Sequence, residues 1–183
     1  LTNVIDEIFE LFARYGSGGY GEDISIERHM LQSATMAESL GAPEKIVVAA
    51  LLHDIGHFLP AAGEVSVHKG RDIEHAGLGA AWLSRAFDED VTAPIALHVR
   101  AKRYLCAVEP GYFEQLSDAS RLSLAVQGGV MSVDETEAFA KEPAFEAALI
   151  VRRCDDRGKE VSTQTQDLES YRGLLTASLH QRN

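Results

Sequence analysis

Cysteine is almost missing: Cys106 and Cys154 are the only two in 183 residues. A lone pair so far apart forms neither a disulfide framework nor a CxxC metal or redox motif, which points to a reducing compartment and a cytoplasmic location. No apolar run reaches the ~18 residues that a membrane span requires. The first residues, Leu1 to Glu7, carry acids where a secretory signal would carry bases. The chain starts at Leu1 and not at methionine, so a few residues are expected before it. Basic residues are also scarce, 17 Lys and Arg against 28 Asp and Glu, for a net charge of −11. Such a surface repels phosphate backbones and anionic lipid, which excludes sequence-blind nucleic-acid binding and membrane association but allows a small anion in a local basic site. Nothing in the sequence points to a protein partner.

Pro/Ser/Gly linkers and internal repeats are absent too, so residues 1–183 are expected to form a single domain. With 45% hydrophobic residues the chain can bury a core without help from disulfides or metals. Strand-type alternation is sparse. Apolar residues recur every three or four positions instead, as in Ile5, Ile8, Phe9 and Phe12, or Ala80, Leu83 and Phe87. This periodicity predicts an all-α fold, a helical bundle of about eight helices. Starts are marked by Ser25, by Pro43-Glu44, by Ser117-Asp118 and by Ser132 with Glu135 three residues on, a capping box. A last amphipathic helix is expected from Gln166 to Asn183. Two irregular segments, Tyr15 to Glu22 and Leu59 to Asp72, are glycine-containing and suited to act as lids.

Seven histidines occur, and five of them, His29, His53, His57, His75 and His98, fall on predicted helices among apolar neighbours. One such histidine is more often a hydrogen-bonded core residue than a ligand; a set of five requires another account. His29, His53, Asp54, His75 and His98 are separated by 24, 1, 21 and 23 positions, as expected if successive helices each project one ligand inward. Adjacent helical residues diverge by about 100°, so His53 and Asp54 would not both face one metal squarely, but a two-oxygen carboxylate can serve two metals. His57 shares the face of His53 and is either another ligand or, as favoured, a residue that contacts substrate. A late acid, Asp155 or its rival Asp156, would close the site. Residues 98–105 and 150–160 hold seven of the 17 basic residues, including Lys102, Arg152 and Lys159, a candidate anion site.

This order of residues, an isolated His, a His-Asp pair and a distant Asp, resembles the HD-domain superfamily of metal-dependent phosphohydrolases. Together with His75 and His98 and the segments His98 to Leu105, Leu116 to Arg121 and Gln127 to Gly129, it is similar to the mixed-valent diiron phosphonate oxygenases within it. The resemblance implies two iron ions, Fe(II)/Fe(III), held by His29, His53, Asp54, His75, His98 and Asp155 with Asp54 bridging. It implies O2 as cosubstrate, and cleavage of the carbon–phosphorus bond of a 1-hydroxy-2-(trimethylammonio)- or 2-aminoethylphosphonate to phosphate and glycine betaine or glycine. It places His57, Lys102, Ser120 and Arg152 on phosphonate or substrate, His57 and Lys102 having catalytic roles, and Glu22 on the amine. The family's tyrosine three positions before that Glu is Gly19 here; Tyr20 lies two before, so either the loop is remodelled and Tyr20 contacts substrate, or the resting site is more open. Gly18 and Gly19 leave room, and Tyr20 and Phe58 offer aromatic faces to a trimethylammonium, the expected head group. The alternative is a phosphohydrolase of phosphate esters or nucleotides, whose metals activate water. A ligand-sensing domain is a third reading.

Overall fold

A computed structural model of the chain describes residues 3–19, 22–59 and 75–180. Ten α-helices and two 3-10 turns occur among them, with no strand beyond the isolated bridges Gly19–Ser25 and Phe87–Leu179. The helices are α1 (Val4–Tyr15), α2 (Ile26–Ser39), α3 (Glu44–Leu52), α4 (His75–Leu83), α5 (Glu89–Val108), α6 (Tyr112–Gln115), α7 (Asp118–Val126), α8 (Val133–Phe139), α9 (Phe145–Arg157) and α10 (Arg172–Ala177). The capping signals act as expected. Ser25 Oγ accepts from Arg28 N, Ser117 Oγ from Ser120 N, and Ser132 and Glu135 complete a reciprocal box.

Helix α3 organises the bundle. Seven consecutive residues, Ile46 to Leu52, are buried, so it is apolar all round and belongs in the interior, where it packs on α2, α5 and α9. Full burial of Leu51 and Leu52 stabilises the fold by about 1.5–3 kcal/mol each relative to exposure. Ile5, Ile8 and Phe12 of α1, Val91 and Ile95 of α5, and Leu175 of α10 join the same core. The two aromatics expected near a substrate head group part company here. Phe58 is buried in this core, edge-to-face on Phe12 at 5.3 Å, and Tyr20 lies outside the described residues, as does most of the irregular segment after Leu59.

Two elements end differently from expectation. Helix α3 stops at Leu52, His53 caps it, and Asp54 leaves helical geometry at φ −101°, ψ 7° before a 3-10 turn, Ile55–Phe58. The C-terminal helix is short. A 3-10 turn, Leu168–Tyr171, capped by Asp167, precedes α10, which ends at Ala177, because Asp and Ser favour local caps and Gly173 weakens the helix. Leu168, Tyr171 and Leu175 are still buried.

A glycine sets the contact between the turn after Asp54 and α4. A Cβ on Gly56 would lie 1.9 Å from the carbonyl oxygen of His75, so the two backbones meet only because position 56 has no side chain. Gly77, on the exposed side of α4, has nothing within 4 Å. Gly56→Ala is therefore expected to destabilise by about 1–3 kcal/mol or more, and Gly77→Ala to stabilise by about 0.5–1 kcal/mol, both read from urea unfolding. Equal effects would contradict the backbone contact.

Candidate metal centre

The break after Leu52 has a consequence for the ligands. Freed from the 100° helical offset, His53 and Asp54 face the same place: His53 Nε2 is 3.4 Å from Asp54 Oδ2. His29 reaches that oxygen from α2 (3.6 Å), and its Nε2 is also 3.3 Å from Asp155 Oδ1 on α9. The other oxygen, Asp54 Oδ1, faces His75 Nε2 at 3.3 Å and His98 Nε2 at 3.7 Å. Two ligand groups result, His29–His53–Asp54 and Asp54–His75–His98, each with its donor atoms within 4.8 Å of one another, and Asp54 is common to both. All six residues, Asp155 included, are buried. Of the two candidate late acids, Asp155 faces the cluster; Asp156 points to Tyr112 and Arg152.

The second ring nitrogens fix the tautomers. His29 Nδ1 donates to Gly158 O (2.8 Å), His53 Nδ1 to Ala50 O (2.8 Å) and His98 Nδ1 to Ile95 O (2.7 Å). A carbonyl only accepts, so each Nε2 presents a lone pair to the centre. His29 and His53 Nε2 lie 3.1 Å apart, and His75 and His98 Nε2 3.2 Å apart. In the His29–His53 pair the facing lone pairs repel unless a cation lies between them. Two nitrogens about 2.1 Å from one ion at right angles are separated by about 3.0 Å, so the residues fit two metal ions. Imidazole and carboxylate with no thiolate suit iron, zinc or manganese. Cys154, next to Asp155 in sequence, is a core residue whose thiol is pushed up to about 12 by burial and by Asp155, which keeps it out of the ligand set.

Charge in the cluster follows from burial and neighbours. Burial opposes ionisation of Asp54, but His53 and the imidazoles beside it outweigh that and hold the carboxyl well below its usual range. Burial likewise opposes ionisation of Asp155, and Arg152 and Lys159 overcome it. Burial lowers His53, yet Asp54 and Asp155 raise it on balance. His98 is depressed to about 3 by burial and by His75 and His53, so it is neutral at pH 7. Neutral imidazole and ionised carboxylate are the forms that ligate.

Around the cluster, the basic residues divide by helix phase. On α5, His98, Lys102 and Leu105 point inward, whereas Arg100 pairs with Glu142 and Arg103 with Glu135 toward solvent. Arg153 likewise pairs with Glu109. Lys102, Arg152 and Lys159 remain near the centre. Buried Lys102 Nζ donates to Ser123 Oγ (2.7 Å) and Ser120 O (3.4 Å). Arg152 donates from Nη1 to Asp155 Oδ2 (2.6 Å), from Nη2 to Asp156 Oδ1 and from Nε to Tyr112 Oη (3.0 Å), and Tyr112 Oη donates to Asp156 Oδ2 (2.5 Å). Tyr112 and Asp156 thus hold the arginine that holds Asp155. His57 stacks on His75 with ring centres 4.2 Å apart, its Nε2 3.9 Å from Asp54 Oδ1, at the edge of the cluster. Glu22 and Ser120 meet at Lys159, whose Nζ is 3.0 Å from Glu22 Oε1 and 2.8 Å from Ser120 Oγ. Sequence reasoning counted Lys159 only as part of a basic run, and it left Tyr112 and Ser117 out of the site altogether. Gly158 also escaped notice: a Cβ there would lie 2.5 Å from Ser33 Oγ and 3.0 Å from His29 O, so α9 approaches α2 closely enough for the Gly158–His29 bond only because that residue is glycine.

The profile of the HD domain matches residues 26–157, and the chain belongs to this family. Its relatives narrow the comparison. It is 43% identical over 166 residues, 90% of this chain and 85% of the relative, to the [1-hydroxy-2-(trimethylamino)ethyl]phosphonate dioxygenase (glycine-betaine-forming) of Leisingera caerulea. It is 40% identical over 168 residues, 91% of this chain and 84% of the relative, to the hydroxymethylphosphonate dioxygenase of Gimesia maris. An uncharacterized protein of Acanthamoeba polyphaga mimivirus is 34% identical over 174 residues, 93% of this chain and 80% of the relative.

Two outcomes check the centre. After metal loading and desalting, His98→Ala is expected to retain one metal equivalent per chain fewer than the unaltered protein by elemental analysis; an unchanged content would contradict two separate ligand groups. Asp156→Asn loosens Arg152 and hence Asp155, and is expected to weaken metal affinity about 10–100-fold in competition with a chelator. An affinity equal to that of the unaltered protein would remove Asp156 from the support of the site.

Proposed function

We propose that the chain is a diiron oxygenase that uses O2 to cleave the carbon–phosphorus bond of a 1-hydroxyphosphonate, with residues 1–183 acting as one domain in a reducing cytoplasm. Two buried ligand groups sharing Asp54 carry this reading, and two phosphonate dioxygenases among the relatives support the substrate class. The 43% identity to the trimethylamino relative favours 1-hydroxy-2-(trimethylammonio)ethylphosphonate, giving glycine betaine, over the primary amine, giving glycine. The balance is simple: one O2 and one 1-hydroxyphosphonate give one carboxylic acid and one phosphate, with both oxygen atoms retained in the products.

His29, His53, Asp54, His75, His98 and Asp155 would hold the iron, which would supply O2 reduction and an electrophilic anchor for the anionic substrate. The chain's own residues do the rest. Lys102, its ammonium anchored by Ser123, places a positive charge on the buried face of α5 one turn from His98, where it stabilises charge on the departing phosphoryl group. Arg152 spends three of its five N–H donors on Tyr112, Asp155 and Asp156, which leaves two for a phosphonate oxygen. Ser120, in the first turn of α7, adds a hydroxyl. His57, beside Asp54 and partly open to solvent, orients the phosphonate and carries protons.

The deciding experiment measures O2 uptake and phosphate release on anaerobically purified, iron-loaded protein with the hydroxyphosphonate, alongside iron content and EPR or Mössbauer spectra. One phosphate per O2, about two irons per chain and a signal that changes on adding substrate are expected. Phosphate released without O2, or from phosphate esters under argon, would reject the oxygenase in favour of a hydrolase.

A further inference from the structure

Glu22, the residue expected to meet a substrate amine, already holds a cation. Lys159 Nζ lies 3.0 Å from Glu22 Oε1, 2.8 Å from Ser120 Oγ, 3.4 Å from Ser117 Oγ and 3.8 Å from Asp155 Oδ1. The ammonium donates hydrogen bonds to the two serine hydroxyls and pairs with Glu22 by charge. Ser117 also donates its hydroxyl to the same oxygen, Glu22 Oε1, at 2.5 Å, so the lysine and the serine share it. The pair is sheltered, with 14% of the lysine and 12% of the glutamate side chain exposed. Removing both charges from water is unfavourable, and a helix end needs no such partner: α9 closes with Arg157 and Gly158.

The position of the pair is informative. Asp155 Oδ1, one side of Lys159, is the oxygen that faces His29 in the metal centre; Glu22, the other side, stands at the amine-contacting position. Lys159 therefore lies between the end of the site that would hold a phosphonate and the end that would hold a head group. A carboxylate oxygen paired at 3.0 Å with one ammonium cannot give its full charge to a second until the first moves away. A substrate with no cation makes no such demand. A primary ammonium competes with charge and N–H donors, and a trimethylammonium with charge alone.

Resting on the phosphonate oxygenase reading, we propose that Lys159 is a specificity-determining residue: it occupies Glu22, and a cationic head group binds only by taking Glu22 from it. The displaced ammonium keeps Ser120 and Asp155 as partners and turns toward the phosphonate. Head-group selectivity is thus an exchange between two cations for one carboxylate, and the relatives named for a trimethylamino substrate and for one with no head group at all mark the two ends of the range over which such an exchange can be set.

The test is calorimetric binding under argon to the metal-loaded protein, so that no turnover intervenes, with three probes: hydroxymethylphosphonate, 1-hydroxy-2-aminoethylphosphonate and 1-hydroxy-2-(trimethylammonio)ethylphosphonate. In Lys159→Met, affinity for the two cationic probes relative to hydroxymethylphosphonate is expected to rise about tenfold or more. Lys159→Arg, which keeps the charge, is expected to keep the ratio of the unaltered protein. Lys159→Gln, which retains hydrogen bonds to the two serines, repeats the measurement should the methionine variant fail to fold. An equal loss for all three probes makes Lys159 an ordinary anion contact and overturns the exchange, as does a ratio that does not move. Failure of the unaltered protein to bind any probe while holding both metals overturns the oxygenase reading and this inference with it.

Discussion

The interaction on which the rest depends is the placing of one carboxylate, Asp54, where two pairs of imidazoles meet inside an apolar bundle. A buried carboxylate is tolerated only with positive charge or several donors around it. Here the neighbours turn lone pairs inward, because their Nδ1 protons are committed to Gly158, Ala50 and Ile95. The centre therefore has an excess of electron pairs that only cations can offset. Helix α3 ends where it does, α9 approaches α2 at a glycine, and Arg152 is fixed by Tyr112 and Asp156; each detail serves to keep donors that repel one another at ligating distance.

Much of the fold could be read from the sequence because its signals are local. Ser25, Ser117 and Ser132 start helices by satisfying their own first turns, and that requires nothing from elsewhere in the chain. The convergence of the candidate ligands was legible through another regularity, their spacing of about one helix and turn, which survives small errors in helix boundaries. Asp54 is the instructive departure. A continuous helix would send His53 and Asp54 in different directions, and it is the non-helical backbone at Asp54 that brings both to one place. No propensity marks that break strongly, since the preceding residues Ile46 to Leu52 form an unbroken buried apolar helix.

What was not legible depends on contacts between distant segments. Lys159 looked like one of a run of bases, and its meaning emerges only when Glu22, Ser117 and Ser120 converge on it. Tyr112 carries no sequence signal as a partner of Arg152, for the two lie 40 positions apart. The supposed cluster of seven bases contracted once the phase of α5 was known: residues 98 and 102 lie on one face, and 100 and 103 look outward to glutamates. Phe58 is buried against α1, a contact no local signal announces.

The ligands come from α2, the α3 cap, α4, α5 and α9, so ions bound there tie together most of the length of the bundle. With both cysteines outside any disulfide, coordination bonds become the only cross-links between distant parts of the chain among the described residues. Since metal favours the folded ligand arrangement over the unfolded chain, each ion bound adds to folding free energy by mass action. The reaction centre is then also a structural rivet: scarcity of metal would be felt as loosened helices as well as lost chemistry, and the turnover of the protein would follow the supply of its ions.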